Sequence, residues 1–245
     1  MTYAYLQLAR DGDAQRVIRD TLTISGINRI RNTAPYAEAA MPARYAYERG
    51  AWGEAMQLQA KPSKFLYPEA ITYFARALGA ARTGNTAAAE KDATELTALH
   101  KALQSENNNY WANEVEIQRL AVAGWIALAQ GKADDALKFM RAAADIEDRS
   151  EKHIVTPGRL VPARELLGDM LLELKQPAAA LKEYEASQLR EPNRFRGFYG
   201  AALAAEAAGD RQKAADYFSK LLALSKNSDG TRPELARAKS YVAQR

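Results

Sequence analysis

Two consecutive stretches decide the fold: VPARELLGDMLLELKQPAAALKEYEASQLREPNR at 161–194 and FRGFYGAALAAEAAGDRQKAADYFSKLLALSKNS at 195–228. Each is 34 residues long, and the second repeats the design of the first. Counted from Val161, Leu167 and Gly168 stand at positions 7 and 8, Leu171 at 11, Ala180 at 20, Tyr184 at 24 and Pro192 at 32. Counted from Phe195, Phe198 holds position 4, Ala202 position 8, Ala214 position 20 and Phe218 position 24. Such spacing predicts two antiparallel helices per copy. Small residues at 8 and 20 let the two helices approach closely, and large residues at 4, 7, 11 and 24 fill the space around the contact. Gly209 supplies the left-handed residue that ends the first helix, and a proline at 32 keeps the second from continuing.

The same signature recurs towards the amino terminus. Residues 117–150 carry Gly124, the turn Gly131-Lys132, Ala136 and Met140. Residues 70–103 carry Tyr73, Ala77, the turn Gly84-Asn85 and Ala89. The copy at 36–69 is looser, with Ala43, Gly50 and Ala55, and Pro42 inside its first helix predicts either a kink or a late start. The earliest copy, 1–31, is truncated and shows Tyr5, Leu8, Gly12-Asp13 and Val17. Its first helix is under way at Met1, whereas a solenoid normally opens with a capping element. We therefore expect the chain to be the carboxy-terminal part of a longer protein. Residues 32–35, 104–116 and 151–160 are inserted between copies. The first and third are expected to lengthen loops, and the polar second one to lengthen the helices flanking Asn107-Asn108-Asn109. Pro233 opens a last, capping helix within 232–244.

These residues resemble the tetratricopeptide family, and the resemblance runs over essentially the whole chain. Arg164 departs from it, standing where the family usually has Trp, as do Ser187 at position 27 and Lys226 at position 32. The arrangement is also similar to a group of bacterial tetratricopeptide proteins in which a segment like Glu151-Lys152-His153-Ile154-Val155-Thr156-Pro157-Gly158 precedes the clearest repeat. The fold implied is all-α, a single right-handed superhelical solenoid of antiparallel helix pairs over 1–245. The function implied is that of an interaction scaffold, not an enzyme, binding a protein or peptide in a concave groove. In the family, positions 2, 5, 9 and 12 of each first helix point into that groove. Carried over, they are Arg44 and Tyr47, Phe74 and Leu78, Trp125 and Leu128, then Glu165, Asp169 and Leu172, then Arg196, Tyr199, Leu203 and Glu206. A Trp at helical spacing in an Ala-rich helix is equally what a core position looks like, so Trp125 has a structural reading as well. Family members that clamp the terminal carboxylate of chaperone tails use Lys and Asn at these positions. Glu165, Leu166 and Asp169 depart from that pattern and favour a basic segment, since Glu165 and Asp169 share one helix face. Pairing of Glu165 with Arg164 or a nearby Lys is the plainer alternative.

Composition narrows the remaining classes. Of 245 residues, 47% are apolar and 26% charged, enough for a continuous core under a charged surface. The net charge of +4 comes from intermixed signs, with no block of five like charges, which argues against nucleic acid. An RNA-binding helical repeat is the alternative reading. No cysteine is present, which excludes disulfides and cysteine metal sites. No run of 18 apolar residues predicts membrane insertion. Met1 to Arg10 lacks the cationic start and apolar core of a signal peptide, and the compartment, cytoplasm or periplasm, stays open. The two histidines, His100 and His153, lie in different repeats, and no phosphate loop or zinc-protease motif occurs. No cofactor or metal is expected. His100 sits late in a helix, where the dipole favours a cation. His153, in the inserted 151–160 loop, is the one candidate for contact with a ligand from a loop, or for an enzyme built on that loop, or for a cation site with Glu165 and Asp169.

Overall fold

The computed structural model describes residues 1–26, 31, 33–151, 159–230 and 232–244. Among these the chain is all-α, with thirteen helices and no strand. They gather in two compact units, one of residues 1–17 with 164–245 and one of residues 18–163.

In the second unit, α3 (Thr33–Glu48) and α4 (Trp52–Met56) form one adjacent pair, α5 (Leu66–Arg82) and α6 (Thr86–Ser105) the next, and α7 (Asn109–Ala129) and α8 (Ala133–Arg149) the third. The helix α3 runs through Pro42 without a break, so the late start is not what the proline does. The polar insertion lengthens the helices on both sides of its middle: α6 reaches Ser105 and α7 begins at Asn109. First helices of neighbouring pairs also pack on each other, α3 on α5 and α5 on α7.

In the first unit, α9 (Ala163–Glu173) pairs with α10 (Pro177–Arg190), α11 (Phe195–Ala207) pairs with α12 (Arg211–Leu224), and α13 (Pro233–Ala243) packs on α12. Here α1 (Thr2–Gln7) and the start of α2 (Asp11–Thr23) join the same core. Ala9 is buried among Phe195, Phe198, Ala202, Phe218, Leu221, Leu235 and Ala238. Burying a Phe such as Phe218 contributes roughly 1.5–3 kcal/mol by removing apolar surface from water. The backbone N–H of Phe195 donates to Gln7 Oε1 at 2.8 Å, and that of Gly12 donates to Asp229 Oδ2 at 2.9 Å. Arg232 grips Asp11 with two bonds, 2.6 and 2.9 Å, both side chains buried.

One turn recurs throughout both units. Gly50, Gly84, Gly131 and Gly209 all have positive φ. The residue after each bonds back to a carbonyl five residues earlier, as Asp210 N–H does to Ala205 O at 2.9 Å. This satisfies carbonyls the helix leaves over at its end. Gly50 and Gly84 stand one 34-residue repeat apart, and Gly209 stands the same distance beyond Lys175, which holds φ 59° with the same bonding, Gln176 N–H to Leu171 O at 2.8 Å. After the turn, Asn85 and Asp210 cap the next helix by accepting the N–H of Ala88 and Lys213.

The small–large packing of the repeat is visible at Gly168. A Cβ there would lie 2.8 Å from the ring of Tyr184, and one at Gly200 would lie 2.3 Å from the same ring. The Tyr184 ring therefore fills a slot between two glycines of successive first helices. Gly124 plays the equivalent part in the α7–α8 pair, where a Cβ would come within 3.0 Å of Ala136 O.

Candidate protein-docking face

The residues that the repeat pattern assigns to a groove divide between interior and surface. In the second unit Arg44, Tyr47, Phe74 and Trp125 are all buried, at 3% exposure or less. The direct packing of α3 on α5 and α5 on α7 encloses them. Tyr47 meets the edge of Trp52 at 5.7 Å. The Arg82 guanidinium lies 4.2 Å from the centre of the Trp125 ring. Arg44 donates to the Arg159 carbonyl at 2.8 Å. That carbonyl belongs to a buried network in which Arg159 grips Glu114 at 2.7 and 3.0 Å, and Glu147 accepts the Ala163 N–H at 3.0 Å. Burial pushes the Glu114 carboxyl above its ordinary range, against the pull of Arg159. These side chains are interior groups holding helices together.

Glu165 is likewise interior, at 1% exposure. It accepts from Arg194 Nε at 2.7 Å, with both side chains buried, while Arg164 pairs with Glu183. Arg194 is thus a partner of Glu165 across the helices. Burial of a carboxylate demands such a partner, because an unpaired charge in the interior is expensive.

Leu128, Leu172 and Leu203 are half-buried, and so are four polar candidates, Asp169, Arg196, Tyr199 and Glu206, which lie on first helices of the first unit. Asp169 on α9 accepts the Tyr184 hydroxyl with one oxygen and Arg196 on α11 with the other, at 3.2 Å. Tyr199 lies one turn beyond Arg196, half-buried, its ring edge-on to Phe218 at 6.2 Å. Burial holds its phenol proton above the ordinary range, with Arg237 opposing and Glu234 reinforcing. Tyr199 is therefore a hydrogen-bond donor at neutral pH. Glu206, two turns further along α11, accepts from Arg237 on α13 at 2.7 Å. This bond is the main cause of the raised Arg237 affinity for its proton.

The face thus presents carboxylate, guanidinium and phenol groups, with Asp169 held by Arg196 and Glu206 by Arg237 from neighbouring helices. Arg196 keeps 18% and Arg237 50% of its side chain exposed, enough to offer further donors to a ligand. Sequence reasoning missed Arg237, although a signal existed. Carrying the 34-residue count one copy further puts it at position 9, the place of Asp169 and Leu203.

Among the described residues no group of three or more His, Asp or Glu side chains is arranged to hold a metal ion. His100 faces Glu116 at 3.5 Å. His153 and its loop lie outside the described residues. No described helix is long and apolar enough to cross a membrane.

No protein-family model matches the chain, and no curated protein matches it. Among solved structures it is similar to a chain in the crystal structure of the APC/C hetero-tetramer Cut9-Hcn1, with 14% identity and a TM-score of 0.42. That alignment covers 98% of this chain and 47% of the other, so this chain spans about half the length of the one it matches.

Proposed function

We propose that this chain is a protein-binding scaffold that holds a segment of another protein against the face formed by α9, α11 and α13, without chemistry of its own. The observation that carries this reading is the set Asp169, Arg196, Tyr199 and Glu206. These stand at positions the repeat pattern assigns to a groove and stay partly exposed, with Asp169 ion-paired to Arg196 and Glu206 to Arg237. A fixed array of this kind costs little entropy on binding, because its rotamers are already chosen. Tyr199 adds an aromatic surface with a polar tip, the side-chain type favoured at interfaces. Its intermixed signs suit a polypeptide carrying both charges better than a nucleic-acid backbone, which asks for uncompensated Lys and Arg.

The test is selection of phage-displayed random dodecapeptides on the full chain, followed by titration of the enriched peptides against the parent and a Tyr199→Ala/Glu206→Lys variant. The reading expects peptides whose affinity falls by about tenfold or more in the variant, the loss of one anchoring aromatic and one charge partner. Equal affinity for parent and variant removes this face from the function. Retention of RNA, with affinity falling steeply with salt, replaces the reading with an RNA-binding one.

A further inference from the structure

In four of the five helix pairs at 36–228 the second helix is long, with α6 at 20 residues, α8 at 17, and α10 and α12 at 14. In the pair that begins with α3, the second helix α4 has only five. It ends in short-range bonds, Gln57 N–H to Glu54 O and Leu58 N–H to Ala55 O, and the chain then continues irregularly through Pro62 to Ser63. Beside this segment lies a cleft of about 570 Å³. One wall is a stripe of α3, Pro35, Glu38, Ala39 and Pro42, which the spacing puts on a single side of that helix. Counted from Tyr36, Ala39 and Pro42 are positions 4 and 7, the positions that in a complete repeat pack on the second helix. The cleft therefore occupies part of the seat that a full second helix takes. It is separate from the ligand-facing positions of the same repeat, Arg44 and Tyr47, which are buried.

Three observations say what fits there. The lining is mixed, its apolar part made by Leu22, which is 43% exposed, with Ala39, Pro42, Leu58 and Pro68. The backbone N–H groups of Gln59 and Lys61, both lining residues, have no acceptor among the described residues, so the irregular segment keeps donors available to a ligand backbone. Lys61 and Lys64 project at the cleft, and among the described residues neither has a carboxylate partner. Lys64 Nζ instead rests 5.0 Å from the Phe65 ring centre. The acids nearby are already engaged, Glu69 by the Ser63 N–H at 2.7 Å and Glu38 by a partner of its own.

We propose that this cleft is a second docking site, taking a short extended peptide segment in which acidic residues alternate with apolar ones. Its backbone meets the donors of 59–61, its apolar side chains lie against Ala39, Pro42 and Leu58, and its carboxylates reach Lys61 and Lys64. The volume falls within the roughly 300–1,000 Å³ of built ligand sites, enough for a few residues and too little for a folded domain.

The experiment selects phage-displayed random heptapeptides on the full chain at low salt, after depletion on an Ala39→Trp variant whose indole fills the cleft. Peptides that survive are synthesised with a fluorescein label and titrated by anisotropy. The proposal expects survivors rich in Asp and Glu at alternate positions. Their affinity should fall by about tenfold or more in Lys61→Glu/Lys64→Glu, where repulsion replaces attraction, and should fall as salt is raised. They should bind the Tyr199→Ala/Glu206→Lys variant as they bind the parent, which separates this site from the α9–α11–α13 face. Both lysines are exposed, so the reversal leaves the fold intact even where the Trp variant does not, and a circular-dichroism melt of each variant checks this. Absence of any survivor overturns the proposal, as do survivors that are neutral or basic and survivors that ignore the lysine reversal.

Discussion

The pair α9–α10 and the pair α3–α4 start from the same 34-residue plan and end differently. In the first, position 24 is Tyr184, whose ring is wedged between Gly168 and Gly200 and whose hydroxyl reaches Asp169. Phe218 and Met140 hold the same position in two other copies, both fully buried. In the pair α3–α4 that position is Gln59, which is exposed, and the helix has already ended at Met56. The comparison teaches that the second helix persists where it buries large apolar side chains: position 24 in three copies, and Leu96 and Leu103 of α6 in 70–103, whose position 24 is the half-buried Ala93. Most of a helix's stability in a protein comes from such a packed face rather than from propensity. With Gln59 there and Pro62 three residues on, neither packing nor backbone geometry supports further turns. A complete pair presents only the tips of its side chains, whereas the incomplete one leaves a cleft.

The largest expected effect breaks the well-packed side of this comparison. Asp11→Ala leaves the Arg232 guanidinium buried without its carboxylate, and removal of one partner of a buried pair costs about 3–5 kcal/mol. Urea unfolding should show the loss. A change near zero would mean that α1 and α2 do not belong to the core of the first unit. Next comes Gly168→Leu, whose Cβ alone would sit 2.8 Å from the Tyr184 ring. Overpacking of this kind costs about 1–3 kcal/mol, and an unchanged melting curve would show that the register of 161–194 is misread.

A smaller change sharpens the other side. Gln59→Leu with Pro62→Ala restores an apolar position 24 and removes the helix breaker, so far-ultraviolet circular dichroism should show added helix, and cleft binding should weaken. Unaltered ellipticity would detach helix length from position 24. Smallest is a pH effect at Glu114. Burial raises its carboxyl above the ordinary 4.5, so the folded chain holds this proton at pH values where the unfolded chain has released it. Stability from this group is therefore full below that ordinary value and declines as pH rises through the folded one. The stability difference between parent and Glu114→Gln should shift in favour of the parent as pH falls from 7 towards 4.5. A shift the other way would show that Arg159, not burial, governs the site.

Much of this was legible in the sequence, and the exceptions have physical causes. The all-α class, the turns at Gly84, Gly131 and Gly209, and the close approach at Gly168 follow from short-range spacing that glycine and alanine print plainly. Lys175 makes the same turn with a side chain that gives no warning. The docking of residues 1–17 onto α11 and α13 rests on Gln7, Ala9 and Asp11 meeting partners some two hundred residues away, and no local period encodes such contacts. Of the groove candidates, Asp169, Arg196, Tyr199 and Glu206 reach the surface. Arg44, Tyr47, Phe74, Trp125 and Glu165 do not, because neighbouring helices pack over them. A position number says which side of a helix a residue occupies. What covers that side is decided by neighbouring helices, and there the reading of single residues ran out.

Hydrogen exchange read by mass spectrometry, on the full chain with and without a peptide enriched in the dodecapeptide selection, tests the central claim most directly. The account predicts slowed exchange in 164–173, 195–207 and 233–243, the helices that carry Asp169, Arg196, Tyr199, Glu206 and Arg237. Slowed exchange confined to α10 and α12, or to 33–72 with no change in those three helices, would contradict it.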